Sequence, residues 1–369
     1  MKKCYPKLAS LFSIMVLGFT TNGFSQLDLP RGSQMATVSQ RIGITDVEIV
    51  YSRPSVNDRE IWGALVPYGM NNFGFGTAKE SPWRAGANEN TIFRTTHDIE
   101  IGGEKLQAGT YGLHMVVNEN NTAKVIFSKN HGAWGSYFYE PSEDVLSVDI
   151  STTEIPHVEQ LRYEFNEVDA SSAMASLNWE KKQFPFKIEV PVTDIVLTDI
   201  RSKMQNQEGF NRQTWEQAAN YALNNGGDLD EAMGWIDAAI SGQFFSQKTF
   251  NNMALKAQIL MKQGKMDEAT TVMDEAMPLG TVFDVHGYGR QLINAGQKEK
   301  ALEVFQWNAK THKNQWPVDY GLARGYAAVG NYKAAIKHIK KAQNRAPDAQ
   351  NQNAIAANLT KLQEGMDIN

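Results

Sequence analysis

The sequence has almost no cysteine, since Cys4 is the only one among 369 residues. Disulfides, cysteine-ligated zinc, iron–sulfur clusters and thiol catalysis are therefore excluded for everything after that residue. Dense blocks of Lys or Arg are also missing, and the formal net charge is −5. This balance repels phosphate backbones and anionic lipid surfaces, so we expect no nucleic-acid partner.

The N terminus has a basic start, MKKCYPK, followed by the short apolar stretch LASLFSIMVLGF and the small residues Gly23 and Ser25. A bilayer core needs about 18 or more apolar residues, so this stretch is too short to be a membrane anchor. The pattern predicts a signal peptide over residues 1–25, cut before Gln26, and a periplasmic or secreted mature chain without a transmembrane span. Cys4 precedes the apolar stretch, so it is not a lipid-bearing cysteine.

Motifs that carry common catalytic chemistry are missing as well. The chain has no nucleophile elbow G-x-S-x-G, no P-loop, no dinucleotide-binding glycine fingerprint and no H-E-x-x-H helix. His97, His114 and His131 are not spaced as metal ligands usually are. We therefore predict no metal and no cofactor, and expect a binding protein rather than an enzyme.

Residues 33–192 alternate between apolar and polar positions, with Gly, Asn, Pro and Asp at the breaks. Period-two alternation is typical of half-buried strands, and no helical stretch separates these segments. The pattern predicts an antiparallel β-sandwich or jelly roll as the N-terminal part of a multidomain β + α protein, over residues 30–193. The predicted strands are 47–52, 91–95, 98–101, 110–117, 122–127, 145–151, 159–168, 173–179 and 184–192.

Five short motifs occur in order through this region: YSRPSV at 51–56, LVPYG at 65–69, WRAGAN at 83–88, AGTY at 108–111 and WG at 134–135. Together they resemble a family of exported Bacteroidetes proteins known only as a domain of unknown function. The resemblance covers about residues 30–192. It implies no activity, so no catalytic residue is transferred from it.

Long loops in this domain contain many arginine, tryptophan and tyrosine side chains. Flat aromatic faces desolvate a ligand, and guanidinium and amide donors orient it, as in sites for sugars, peptides or carboxylates. The structural alternative is that these side chains bond loop carbonyls and cover the open end of the sandwich. The candidate ligand-binding residues are Arg53, Arg59, Trp62, Trp83, Arg84, Asn88, Trp134 and Tyr137.

After Pro191 the spacing becomes helical, and Gly227, Gly264, Gly296 and Gly330 recur at intervals of 37, 32 and 34 residues. Each is followed by a charged turn and an alanine, a pattern that resembles the tetratricopeptide repeat family over about residues 210–347. The resemblance implies a solenoid of helix pairs. We predict a helical domain over 205–365 that ends with a polar capping helix over 349–363.

In the tetratricopeptide family the first helix of each pair lines a groove that holds a peptide or a partner segment. The matching positions here would make a mildly basic groove, which favours an acidic segment. The alternative is that they are solvated polar positions on a scaffold. The candidate partner-binding residues are Gln258, Met261 and Lys262, then His286, Arg290 and Asn294, and then Tyr320 and Arg324.

These observations predict an exported binding or assembly protein. Its repeat groove would take a protein or peptide segment, and its β domain would be a scaffold or a second ligand site. The alternative is a hydrolase that acts on glycan or peptide at the aromatic and arginine-lined loops, which would require carboxylates or a histidine beside those rings.

Overall fold

The computed structural model describes residues 29–369, which fall into two compact units. The first unit runs up to residue 41 and over 46–189, and the second comprises 42–45 and 190–369. The predicted signal peptide lies outside the described residues. Within 29–369 no helix is both long enough and apolar enough to span a bilayer.

The first unit is built from ten strands in two sheets. One sheet has the order β1-β2-β3-β6-β7-β8 and the other β5-β4-β10-β9, and the strand pairs from β2 onward are antiparallel. The strands are β1 (Gln34–Ile42), β2 (Thr45–Arg53), β3 (Thr91–Thr95), β4 (Ile99–Ile101), β5 (Glu104–Leu106), β6 (Gly109–Val117), β7 (Thr122–Ser128), β8 (Asp144–Ser151), β9 (Thr153–Asn166) and β10 (Ser172–Glu189).

The alternation in the sequence places one face of each sheet in a shared core. In β2, Val47 and Ile49 are fully buried, while the alternating residues Glu48 and Val50 are half-exposed. Across the core Phe127 of β7 meets Phe186 of β10, with ring centroids 6.1 Å apart. Burial of aromatic rings between two sheets is the main source of stability in such a sandwich. The predicted antiparallel sandwich is confirmed.

Four strands differ from the prediction. The strand β9 begins at Thr153 rather than at 159, because its first residues are mostly exposed and show no apolar alternation. The segments 173–179 and 184–192 are parts of one strand, β10, because a bulge at Glu180, with φ of 54°, lets the chain continue through the charged run between them. The strand β1 was not predicted, because most of its side chains are exposed and Gln34 and Gln40 interrupt its apolar face. The strand β5 was missed because it has only three residues.

The second unit is helical. Its first helix, α1, precedes residue 205 and packs Leu197 into the same core as α2 and α3, so the helical unit begins earlier than predicted. The helices are α1 (Val192–Met204), α2 (Arg212–Asn225), α3 (Leu229–Ile240), α4 (Phe250–Lys262), α5 (Met266–Ala276), α6 (Val282–Asn294), α7 (Lys298–Thr311), α8 (Trp316–Ala328), α9 (Tyr332–Arg345) and α10 (Ala349–Gln363).

The helices α2 to α9 form four consecutive pairs, and α10 follows as the predicted cap. The predicted glycines lie in the turns within the pairs, and Gly264 and Gly330 have φ of +81° and +78°, where a side chain would strain the backbone. The first pair differs, since Gly226 takes this conformation while Gly227 packs closely on Ala222. The helical repeat solenoid is confirmed.

Phe305 of α7 holds the third and fourth pairs together. The ring is fully buried and sits against three glycines, Gly289 of α6 and Gly321 and Gly325 of α8. A Cβ atom on any of these glycines would lie within 2.5–2.9 Å of the ring. Glycine is therefore required here for space, so that the helices can approach around an aromatic side chain.

We expect Gly321→Ala to destabilise the second unit by about 1–3 kcal/mol, because the added methyl group overpacks the Phe305 site. Gly234→Ala in α3 is the matched control, since no atom lies within 4 Å of its Cβ position. That control should stabilise the helix by about 0.5–1 kcal/mol. Urea unfolding of the full chain measures both changes. Equal effects of the two substitutions would show that Phe305 does not constrain the packing.

Candidate functional site

A pocket of about 370 Å³ lies among the loops of the first unit. It brings together four of the eight residues that the sequence predicted as ligand-binding in this domain, namely Arg59, Trp83, Arg84 and Tyr137. These residues come from three separate loop segments, so the pocket exists only because the sandwich places those loops at one edge. We call it the loop pocket.

The WRAGAN motif forms one wall of the loop pocket. Trp83 exchanges two backbone hydrogen bonds of 2.8 Å with Met115 of β6, which fixes the motif to the sheet. The Trp83 indole N–H donates to the carbonyl oxygen of Gly86 at 3.2 Å. Arg84 donates to the carbonyl oxygen of Asn88, and its guanidinium lies over the Tyr137 ring at 5.0 Å. The guanidinium is therefore held in place on two sides.

The other four predicted residues lie outside the lining of the loop pocket. The Arg53 Nε donates to the carbonyl oxygen of Leu161 at 3.0 Å, along a separate shallow groove beside β9. Trp62 packs behind Trp83 with ring centroids 6.0 Å apart. Asn88 donates its side-chain N–H to the carbonyl oxygen of Ser33 at 2.9 Å, and Trp134 is half-exposed beneath Arg31.

The sequence did not identify Asn71, Phe73 or Trp179 as pocket residues, although all three line the pocket. Trp179 is at a core position of β10, so the alternating pattern of that strand predicted that it is buried and gave no sign that it lines a pocket. Its ring stacks on Trp83 with centroids 6.0 Å apart, and only the fold brings those two positions together. Asn71 and Phe73 lie in a loop with no periodic pattern, so no sequence signal marks them.

Next to the loop pocket, His114 of β6 and Ser136 form a buried pair, with Nδ1 and Oγ 3.0 Å apart. Burial, together with a smaller effect of the charge of Arg84, lowers the pKa of His114 to about 4. Ser136 is only 1% exposed, so its hydroxyl is a packed partner of the imidazole rather than an open nucleophile. The lining of the loop pocket contains no Asp, Glu or His side chain.

A groove of about 750 Å³ crosses the first helices of three pairs, α2, α4 and α6. We call it the A-helix groove. Its lining contains two carboxylates, Glu216 and Asp284, no Lys or Arg, and a series of amide side chains: Gln213, Gln217, Asn220, Asn251, Asn252, Gln258 and Gln291. Among the predicted partner-binding residues, Gln258 lies in this lining.

The remaining predicted positions on α4 and α6 lie outside the groove lining. Met261, Lys262, Arg290 and Asn294 are exposed elsewhere. On α6 the lining residues are Phe283, Asp284, Gly287, Tyr288 and Gln291. Consecutive residues of a helix are rotated by about 100° around its axis. A predicted position that is one residue away from a lining residue therefore points its side chain out of the groove.

His286 faces the neighbouring pair instead. Its ring stacks on Tyr320 with centroids 6.0 Å apart and packs on Phe305. Burial lowers the pKa of His286 to about 4, with a further contribution from the charge of Arg324. Such a neutral, packed imidazole is part of the interface between α6 and α8.

Arg324 contacts both Tyr320 and the last residues of the chain. The Arg324 guanidinium donates to the carbonyl oxygen of Ile368 at 2.9 Å and lies over the Tyr320 ring at 4.7 Å. Asn369 donates its side-chain N–H to the carbonyl oxygen of Arg324 at 3.1 Å. Ile368 is buried against this unit. Residues 368–369 therefore cover Arg324, and the Tyr320 hydroxyl is bonded to Asn358 of α10.

The basic character that we expected is absent from the groove lining in the described chain. It depended on Lys262, Arg290 and Arg324, and none of them lines the groove. The two acidic groups already have partners: Glu216 accepts from Asn252 at 3.0 Å, and Asp284 accepts from the Thr281 backbone N–H at 2.8 Å. The groove is therefore lined mainly by neutral polar groups.

The buried histidines predict acid sensitivity. His114 titrates near pH 6.5 in the unfolded chain and near pH 4 in the folded protein. Between these values the unfolded chain binds a proton that the folded protein does not, so stability falls as the pH drops and is unaffected above about pH 7. We expect His114 to account for a loss on the order of 2 kcal/mol between pH 7.5 and pH 5.

The measurement is urea unfolding of the full chain at pH 7.5 and pH 5. His114→Gln should reduce the loss of stability on acidification, whereas His131→Gln, a change at an exposed loop residue, should leave it unchanged. An equal loss in the wild type and in His114→Gln would contradict the role assigned to burial.

Comparison with known proteins finds a family model that matches most of the first unit. Residues 33–188 match the model of a family described as "Protein of unknown function (DUF2911)". No curated protein matches the chain. The predicted resemblance of this region to a domain of unknown function is thus confirmed, and the match carries no activity with it.

Solved tetratricopeptide repeat (TPR) proteins are similar to the second unit. The C-terminal part of a TPR repeat-containing protein from Cytophaga hutchinsonii is 16% identical, with a TM-score of 0.34, and the match covers 47% of this chain and 70% of that one. TTC0263, a TPR protein of Thermus thermophilus, is 16% identical, with a TM-score of 0.31, and the match covers 46% and 91%. YrrB, a TPR protein with an unusual peptide-binding site, is 16% identical, with a TM-score of 0.30, and the match covers 45% and 84%.

Proposed function

We propose that the protein binds an extended segment of another protein in the A-helix groove. The observation that carries this proposal is a set of exposed amide side chains across three helices that have no side-chain hydrogen bond to any described residue. They are Gln217 on α2, Asn251 and Gln258 on α4, and Gln291 on α6.

A primary amide offers both a donor and an acceptor, as a peptide backbone does. A row of such groups can therefore bond to the main chain of an extended segment with little regard to its side chains. The exposed ring of Phe283 and the half-buried ring of Phe250, in the same lining, offer apolar contacts to the side chains of that segment. This combination suits moderate affinity for segments of varied sequence, as in a binding or assembly protein.

The acidic preference predicted from the sequence remains part of the proposal in a weaker form. Lys262 and Arg290 are exposed on the same helices, although outside the lining. Charges at the edge of a binding surface steer encounter more than they set affinity. An acidic segment would therefore bind faster at low salt, and the groove itself would bond mainly to its backbone.

The alternative function, a hydrolase that acts on glycan or peptide at the loop pocket, has no residue arrangement that favours it. Carboxylate pairs or an open histidine would be needed at the reacting atom. The loop pocket lining has neither, and His114 reaches it only through the buried Ser136.

Peptides selected from a displayed random library on the full chain provide defined probes for the groove. We expect the double variant Asn251→Ala, Gln258→Ala to weaken their affinity about 10-fold or more, because two hydrogen bonds at about 1 kcal/mol each are lost. Gln306→Ala is the matched control, since Gln306 is an exposed amide on α7 outside the groove. Fluorescence anisotropy with synthetic peptides measures both. Unchanged affinity in the double variant would refute groove binding.

We also propose that this binding takes place outside the inner membrane, as in the exported Bacteroidetes proteins that the motifs resemble. The mature chain is expected to begin at Gln26, and intact-mass measurement of the protein from periplasmic and secreted fractions tests this. A Leu17→Arg substitution interrupts the apolar stretch and should leave the precursor uncut. Recovery of the unprocessed wild-type chain from the cytosol alone would contradict export.

A further inference from the structure

We infer that the loop pocket is a binding site for an organic anion, namely a carboxylate carried on an aromatic or aliphatic body. This site belongs to the first unit and is independent of the A-helix groove. The two binding activities can therefore be present or absent separately.

The charge in the loop pocket has one sign. Arg59 and Arg84 both line it, and no Asp or Glu does. Many other arginines of the described chain form ion pairs with carboxylates, yet neither Arg59 nor Arg84 takes part in one there. Two unpaired guanidinium groups at one cavity favour an anion, and a planar carboxylate matches their fork geometry.

Both guanidinium groups are held by the protein and still have donors to spare. The Arg59 Nε donates to the Val56 carbonyl oxygen at 3.0 Å and its Nη2 to that of Ser55 at 2.5 Å, which leaves Nη1. Arg84 uses only Nη1, for the Asn88 carbonyl oxygen, and its Nη2 and Nε form no hydrogen bond to any residue of 29–369. The bonds to loop carbonyl groups therefore use only some of the N–H donors of the two guanidinium groups. Preorganised donors lose little entropy when a ligand binds.

Part of the pocket wall is apolar. Trp83, Tyr137 and Trp179 supply aromatic faces, and Leu65 and Pro67 supply aliphatic surface. A volume of about 370 Å³ suits a small organic acid or a single terminal residue of a peptide. The ligand therefore combines a charged end for the arginines with an apolar body for the rings.

Trp179 adds apolar surface to the site rather than a donor. It is 1% exposed and lines the loop pocket. Its indole N–H has no hydrogen-bond partner among the described residues and almost no accessible surface. The ring, and not the N–H, therefore forms part of the pocket wall.

The same chemistry has two sources, a free organic acid or the C-terminal residue of a peptide. The probes are 3-phenylpropanoate with its neutral amide, and N-acetyl-Gly-Gly-Phe with a free or an amidated C terminus. Isothermal titration calorimetry on the full chain should show that at least one acid binds and that its amide binds at least 10-fold more weakly. The acid that binds more tightly identifies the source.

Arg84→Gln should weaken binding of that acid about 10- to 100-fold, because a charge-assisted hydrogen bond is lost. Arg59→Gln should weaken it in the same direction, and it carries the test if Arg84→Gln does not fold. Arg94→Gln is the matched control, since Arg94 is exposed on β3 and paired with Glu48. The double variant of the A-helix groove should bind the acid as the wild type does.

Three results would overturn the assignment. The first is that neither acid binds at millimolar concentration to a folded wild-type chain. The second is that each acid and its amide bind equally, and the third is that Arg59→Gln and Arg84→Gln both bind as Arg94→Gln does. None of these results would bear on the A-helix groove, which is probed with different peptides and different variants.

Discussion

The close approach of α6 and α8 around the Phe305 ring is the contact on which the stacking of the third and fourth helix pairs depends. It is possible only because Gly289, Gly321 and Gly325 present no side chain to the ring. This packing, with the buried alanines of the other pairs, stacks the helices in a fixed order. Of the helices at this contact, α6 also carries an amide of the A-helix groove, Gln291. A larger residue at the contact would separate α6 from α8.

Polar residues inside the helical unit are satisfied locally, which keeps the stacking intact. Asn308 stands where the repeat pattern prefers alanine, and it is fully buried. Its amide donates to the carbonyl oxygen of Val282 at 3.0 Å and its oxygen lies 2.7 Å from Nδ1 of His312. Asparagine at this position therefore adds a hydrogen bond between α6 and α7 and leaves no buried polar group without a partner there.

The two candidate surfaces use different chemistry. The A-helix groove is lined mainly by neutral amides, which suit the donors and acceptors of a peptide backbone. The loop pocket combines two unpaired guanidinium groups with tryptophan and tyrosine rings, which suit a charged group on an apolar body. Such a difference allows one chain to bind a protein segment and a smaller anionic ligand at separate places, each within its own unit.

The sequence by itself determined the class of each unit, because both periods come from burial of one face of a strand or helix. Alternation around Val47 and Ile49 predicted the sandwich, and recurring glycines such as Gly264 and Gly330 predicted the helix pairs. It also placed Arg59, Trp83, Arg84 and Tyr137 among the ligand-binding candidates. Only the tertiary structure decided that Trp179 joins them, that α6 turns His286 toward Tyr320, and that residues 368–369 cover Arg324. The reason is physical: a local period reports which side of an element is buried, whereas a site depends on contacts between elements far apart in the chain.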